Sequence, residues 1–246
     1  MAPAGIGADL AGVHAIAAAL AAGRVELLTV ERRRATRDDV AALIVHAEEA
    51  GVIVHVVEDV GPLAGTDRPQ GVVATATPIV LVSLEECLAS NDPAAVVVLD
   101  HVEDPRNTGA VVRSMVAAGM RGLVVPGRRS APLGATAFKA AAGAFESASV
   151  AVVGSIPEAL RQLSRLGVWT IGLTGAGERS LFGLDLLGEP CALVFGAEGA
   201  GLSRLAGERV DVTARIPMGA GVESLNVSAA AAIACFEVAR VRTPVQ

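Results

Sequence analysis

Between residues 94 and 217 the chain carries six short apolar runs: AAVVVLD (Ala94 to Asp100), GLVVP (Gly122 to Pro126), VAVVG (Val150 to Gly154), VWTIGL (Val168 to Leu173), CALVFG (Cys191 to Gly196) and VTARIP (Val212 to Pro217). Their hydrophobicity is continuous, without the alternation of a half-exposed strand, so each reads as a strand covered on both faces. Most are separated by segments of helical periodicity. That rhythm predicts a parallel α/β sheet flanked by helices. Ligands of such sheets bind beyond the carboxyl ends of the strands, where loops run into helices. Chemistry is therefore expected after Asp100, Leu173, Phe195 and Ile216.

Residues 9 to about 76 predict a separate small α/β unit, with helices near Val13 to Ala22 and Asp38 to Ala50 and strands at Val25 to Val30, Ile53 to Val57 and Gly71 to Ala76. A linker with one short helix is expected over 77–93, between Pro78 and Asn91-Asp92-Pro93, so the expected domains are 1–76 and 94–246. A chain of 246 residues, 52% apolar and 19% charged, is long enough and apolar enough for substantial cores. Its apolar runs stop short of the ~18 residues that a membrane span needs. MAPAGIGADLAG has no basic segment of the kind that opens a secretion signal, so the cytoplasm is the expected location. Cys87, Cys191 and Cys235 are odd in number and lack CxxC spacing, and His14, His46, His55 and His101 are equally dispersed. Reduced thiols and no metal site are expected. The net charge of −6 counts against a general nucleic-acid coat but leaves room for a local basic face. Arg32, Arg33, Arg34 and Arg37, with Arg121, Arg128 and Arg129, are its candidates, and solvated loops are the alternative reading.

After Asp100 the chain reads HVEDPRNTGAVVRSMVAAG. Asn107 and Gly109 suit a turn into a helix running from Thr108, which puts Arg113 about a turn and a half in. Arg113 is then either a snorkelling surface residue or a charge held at a buried edge for a purpose. The three loops after Leu173, Phe195 and Pro217 read TGAGERS, GAEGAGLS and MGAGVESLN. Each contains Gly-Ala-Gly, which permits close approach of backbone to a ligand. None of them continues as G-x-G-x-x-G and no P-loop spacing is present, so a dinucleotide enzyme is a minor alternative. A ligand held largely by backbone groups from several strand ends is the better expectation. Glu198, the acidic side chain of the second loop, either faces that ligand or is a helix N-terminal charge.

Taken together, NTGAVVR (Asn107 to Arg113), FGAEGAGLS (Phe195 to Ser203) and IPMGAGVESLNVS (Ile216 to Ser228) resemble, in order and spacing, the three motifs of the SpoU or TrmH family of RNA ribose 2′-O-methyltransferases. The likeness covers residues 94 to 242, and the first 76 residues resemble the small ribosomal-protein-like RNA-binding domain of two-domain members, with GVHAIAAALAAG as its opening. One departure is SMVAAG after Arg113, where the family often has an aromatic before the glycine. The resemblance implies a C-terminal sheet threaded into a deep trefoil knot, S-adenosylmethionine bound in the knot, and a homodimer that needs no metal. It implies cofactor contacts from Leu173, Thr174 and Gly175, from Phe195, Gly196, Glu198 and Gly199, and from Ile216, Met218, Ser224, Leu225 and Asn226. Asn107, Arg113, Glu198, Ser224 and Asn226 match its polar active-site set. FKAAAGAFES (Phe138 to Ser147) resembles a segment on the substrate side, which adds Lys139 and Glu146, although a core helix with two solvated charges is the plainer reading.

The implied reaction is in-line displacement of a sulfonium methyl by a ribose 2′-hydroxyl. Arg113 would either take the proton or clamp a phosphate beside the target, and the reluctance of a guanidinium to lose its proton makes the clamp the easier role. The implied target is a guanosine of 23S ribosomal RNA. Resistance methylation of another 23S nucleotide, or a non-enzymatic RNA-binding or ribosome-assembly protein with the same fold, are the alternatives.

Overall fold

The computed structural model describes residues 5–221 and 224–243. In chain order the elements are β1 (Asp9–Ala11), α1 (Val13–Ala21), β2 (Val25–Glu31), α2 (Asp38–Glu49), β3 (Ile53–Val57), β4 (Val72–Ala76), α3 (Leu84–Leu88), β5 (Ala95–Asp100), α4 (Pro105–Ala117), β6 (Gly122–Pro126), α5 (Ala135–Ala141), β7 (Ser149–Val153), α6 (Ile156–Arg165), β8 (Trp169–Leu173), β9 (Arg179–Ser180), β10 (Cys191–Gly196), α7 (Arg204–Gly207), β11 (Val212–Arg215) and α8 (Val227–Arg242). They form two compact units, one of residues up to Val80 with Pro132–Ser147, the other of Leu81–Ala131 with the residues from Ala148 onward.

The first unit is a four-stranded sheet in the order β1-β4-β2-β3, with β4 antiparallel to both neighbours and β3 parallel to β2. The expected helices and strands are all present within a residue or so, and β1, only three residues long, is too short to leave a periodic signal. α1 buries Ala15, Ile16, Ala19 and Leu20, the i, i+1, i+4, i+5 stripe of an amphipathic helix.

The expected domain boundaries are corrected at two places. Residues 81–93 are no free linker: Ser83 and Glu86 close a capping box at the start of α3, and Leu84 and Cys87 lie in the core of the second unit. Pro132–Ser147, expected in the C-terminal domain, belongs to the first unit. Phe138 and Phe145 stack there with ring centroids 4.2 Å apart, and Ala135 joins Ala11, Val60 and Val73 in a buried cluster. Arg24 grips Glu146 through Nε (2.8 Å) and a terminal nitrogen (2.5 Å), both side chains being largely buried. Removing either partner would leave a buried charge uncompensated, so the pair fixes the returning segment firmly.

The second unit is a seven-stranded sheet in the order β7-β6-β5-β10-β8-β11-β9, every pair parallel. All six predicted runs are strands in it; β5, β6 and β10 are buried along almost their whole length, as continuous hydrophobicity requires, while β7 and β11 are only partly buried. On one face α3, α6 and α7 pack on Val96, Val98, Val124, Ala192 and Val194. α6 contributes Ile156, Ala159, Leu160 and Leu163, again a single helical stripe. Each fully buried aliphatic side chain of this kind stabilises the fold by roughly 1.5–3 kcal/mol. α4 lies against α8, burying Val111, Val112 and Met115. Glu237 of α8 is buried but paired, accepting from Gly183 N–H (3.0 Å) and from Arg240 (2.7 Å), whose guanidinium holds the carboxyl below its usual range.

Cys87, Cys191 and Cys235 are free and buried, and burial pushes their thiols up to about 11, 11 and 12 respectively. The thiolate is the reacting species. The native protein at pH 8 is therefore expected to resist alkylation at all three positions, and to take up three equivalents on unfolding in denaturant. Rapid labelling of the native protein would contradict this packing.

Candidate functional site

β5 and β10 lie side by side with Asp100 in register with Gly196, so the loops that leave them, 101–104 and 197–203, emerge together at the carboxyl edge of the sheet. β8 and β11 flank β10 on its other side and send out the loops that begin at Thr174 and Ile216. Four strand ends thus converge, as the parallel topology demands.

The loop from β5 is shorter than the sequence suggests. α4 begins at Pro105, not Thr108, because Asp104 is the N-cap and accepts from Arg106 N–H (2.8 Å), while Pro105 occupies the first helical position, where a missing N–H costs nothing. Asn107 therefore projects from the first turn of a helix. Its amide nitrogen donates to Glu198 Oε1 (2.8 Å). Asn226 also donates to Glu198 Oε1 (2.6 Å) and to Asn107 Oδ1 (3.2 Å). At the same time Asn226 Oδ1 accepts from the backbone N–H (2.9 Å) and hydroxyl (2.5 Å) of Ser228, capping α8. One carboxylate and two amides from three separate strand-end segments are thus tied into a single cluster. A charge-assisted bond of this kind is about twice as strong as a neutral one.

This cluster borders a cavity of about 370 Å³, within the ordinary range for small-molecule sites. Leu173, Thr174, Gly175, Phe195, Gly196, Glu198, Gly199, Ile216, Met218, Ser224, Leu225 and Asn226 all line it, so the structure gathers at one place every residue that the resemblance assigned to a cofactor. Ala197, Gly201, Val227 and Ala230 complete the lining and were not anticipated. Small residues there follow from the packing. A Cβ on Gly196 would come within 2.0 Å of the Gly201 carbonyl carbon, because Ala197 and Gly201 bridge across the loop and Gly201 N–H donates to Ala197 O (2.8 Å).

Of the five expected polar residues, the structure brings Asn107, Glu198 and Asn226 together and places Ser224 on the same cavity wall. Glu223 of this motif lies outside the described residues. Arg113 is apart: it is exposed on α4, lines no part of the cavity, and has no ion pair among the described residues. Both asparagine donors converge on the same oxygen, Glu198 Oε1, and Arg113 makes no ion pair with this carboxylate. Sequence reasoning missed Asp100, which is wholly buried and accepts from Ser203 N–H (2.7 Å) and His101 Nδ1 (2.6 Å). The one available signal was an acid closing an otherwise apolar run.

The candidate RNA contacts divide into kinds. Arg32, Arg33 and Arg37 pair with Glu58, Glu31 and Asp39. The Arg32–Glu58 and Arg37–Asp39 pairs, exposed on both sides, are worth about 0–1 kcal/mol and exchange readily for a phosphate, whereas the Glu31 carboxylate that holds Arg33 is buried. Arg34 packs its stem beside Gly71. Arg121, Arg128 and Arg129 are exposed and have no ion pair among the described residues. Lys139 donates to the Arg68 carbonyl, and Glu146 is held by Arg24, so neither charge of that segment is simply solvated.

The chain is similar to known proteins over most of its length. The sequence model described as the SpoU rRNA Methylase family matches residues 94–236. A 23S rRNA (guanosine-2'-O-)-methyltransferase RlmB from Ralstonia nicotianae is 40% identical over 242 residues, which is 96% of this chain and 96% of that one. The protein of the same name from Pseudomonas aeruginosa is 41% identical over 181 residues, 72% of this chain and 73% of its own. Among solved structures, the SpoU methyltransferase AviRb from Streptomyces viridochromogenes, in complex with the cofactor AdoMet, superposes with a TM-score of 0.78 over 95% of this chain and 89% of that one. At 24% identity that last likeness speaks for the fold. With the family model matching residues 94–236 and a relative 40% identical over 96% of its length, the chain belongs to the SpoU rRNA methylase family.

Proposed function

We propose that this protein transfers the methyl group of S-adenosylmethionine to the ribose 2′-hydroxyl of a guanosine in 23S ribosomal RNA. The observation that carries the reading is the Glu198 carboxylate, held by Asn107 and Asn226 at the wall of a backbone-lined cavity, in a chain alike over its full length to a guanosine 2'-O-methyltransferase.

The residues present fit the cofactor. Leu173, Phe195, Ile216 and Leu225 offer apolar walls for a purine, and the loops around Gly196, Ile216 and Leu225 offer backbone groups for its polar edge. Among the described residues Glu198 supplies the one carboxylate on the wall, suited to a ligand with a cationic centre. When bound, S-adenosylmethionine supplies a methyl group activated by its sulfonium. The chain's own contribution is alignment and electrostatics. Asn107 and Asn226, locked by Glu198, present fixed amides to the incoming ribose, and Arg113 is free to grip a neighbouring phosphate with its guanidinium fork.

The trefoil knot belongs to the same proposal. Gly177 lies so close to β11 that a Cβ would sit 2.3 Å from the Ala214 carbonyl carbon, and Thr174 N–H donates to Ala214 O (3.0 Å). Strand-end loops that press this tightly on a neighbouring strand are what a threaded chain requires. The first unit is read as an RNA-binding domain, the assembly as a homodimer and the location as the cytoplasm. No helix among the described residues is long and apolar enough to cross a membrane. The displacement itself calls for no metal.

Mapping 2′-O-methyl groups in ribosomal RNA from cells with and without this protein is the direct test. Loss of one methylated guanosine in 23S RNA is expected. Loss at a different 23S nucleotide would favour the resistance reading. Tight cofactor binding without methyl incorporation into any ribosomal RNA would leave an RNA-binding protein that keeps the fold.

A further inference from the structure

Asp100 is a buried acid that the reaction as described does not use. Its side chain is 0% exposed, and its two oxygens are divided between two loops. Oδ1 takes His101 Nδ1 (2.6 Å), the first residue of the loop into α4, and His101 reaches it by adopting a left-handed φ of 62°. That conformation is uncommon outside glycine, and Asn, Asp and His adopt it most readily. Oδ2 takes Ser203 N–H (2.7 Å), the last residue of the Glu198 loop and the N-cap of α7. The near end of that loop is closed by the Ala197–Gly201 bridge. Glu198 thus sits on a loop fixed at both ends, and Asn107 sits just beyond the other loop that Asp100 holds.

We propose that Asp100 is a positioning residue of the methyl-transfer site: by holding Ser203 and His101 it sets the 197–203 loop against the start of α4, so that Glu198 meets Asn107 and Asn226. The geometry explains why a wholly buried carboxylate stands at a strand end where an apolar residue would pack as well. A carboxylate with two separate partners links two loops as no hydrocarbon can, and an unpaired one would be costly there. This rests on the methyl-transfer reading of the site.

The test is a double-mutant cycle on the full-length protein, after the wild type has been shown to methylate 23S RNA. Asp100→Asn, Glu198→Gln and the double variant are compared in kcat/KM and in calorimetric affinity for S-adenosylmethionine, well below each unfolding midpoint. Asp100→Asn keeps the shape but puts an amide donor at one of two acceptor positions. It is expected to lower kcat/KM about 10- to 100-fold, the usual range for a group that orients a functional side chain. Because the effect runs through Glu198, the double variant should lose little more than Glu198→Gln alone. Losses that multiply would reduce Asp100 to a stabilising residue and overturn the proposal, as would an Asp100→Asn effect within about twofold. Should Asp100→Asn not fold, Ser203→Pro removes the same bond from the donor side, the φ of −58° at Ser203 being one that proline accepts, and it must show the same non-additivity with Glu198→Gln. A wild type without methyltransferase activity would instead refute the function, and is distinguishable from either result.

Discussion

Arg113→Ala is expected to lower methyl transfer by at least about 100-fold, the scale of removing a single charge-stabilising group, while leaving cofactor affinity and stability nearly unchanged. The structure separates these quantities. Arg113 is exposed on α4, away from the cavity lining, and no carboxylate is paired with it among the described residues. Surface substitutions of this kind usually shift stability by about 0.5 kcal/mol or less. Among the described residues no ion pair holds the guanidinium, which leaves it available to a substrate phosphate in the proposed reaction. Arg113→Lys then distinguishes the two roles. A phosphate clamp loses its bidentate fork but keeps its charge, predicting partial activity with little dependence on pH. A general base would become easier to deprotonate, since lysine titrates near 10.4, and activity would climb as the pH is raised. Unchanged turnover in Arg113→Ala would remove the residue from the mechanism altogether.

The second unit was more legible in the sequence than the first unit's boundaries, for a physical reason. A strand buried on both faces must be apolar throughout, as β5, β6 and β10 are, and short apolar runs also announced β7, β8 and β11. β9, two residues at the sheet edge, carries no such constraint and left no trace. The excursion of Pro132–Ser147 into the first unit is a long-range pairing, made by Arg24 with Glu146 and by Ala135 with Ala11, Val60 and Val73, and periodicity reports only on neighbours in sequence. The start of α4 was misplaced because Asn107 and Gly109 were weighted as turn residues. Asp104 and Pro105, a cap followed by proline at the first helical position, were the stronger signal. Within the site, motif resemblance supplied the residues that share a cavity. It could not reveal that Asn107 and Asn226 would both bond the same oxygen of Glu198.

Asn226 joins the helix and the site, and its substitutions should separate them. Its Oδ1 caps α8 through Ser228 N–H, while its amide nitrogen binds Glu198 Oε1 at 2.6 Å. Asn226→Ala loses both, so the unfolding free energy should fall by about 1 kcal/mol, the typical worth of an N-cap, and transfer should collapse with it. Asn226→Asp keeps the acceptor, and a negative charge at a helix N-terminus is itself favourable. In the aspartate variant, however, an oxygen replaces the donor beside Glu198, and two carboxylates that close repel each other and favour protonation of one of them as the pH falls. The aspartate variant should therefore unfold near the wild-type temperature yet transfer methyl groups about 100-fold or more slowly. That reduction should ease as acid protonates one of the pair, provided the wild type's own acid limb is divided out. If Asn226→Asp keeps full activity at neutral pH, the amide is only a cap and the grip on Glu198 has no part in catalysis. If it loses activity while stability holds, the donor to Glu198 is required by the reaction itself, and the helix cap is a separate task that the same side chain performs.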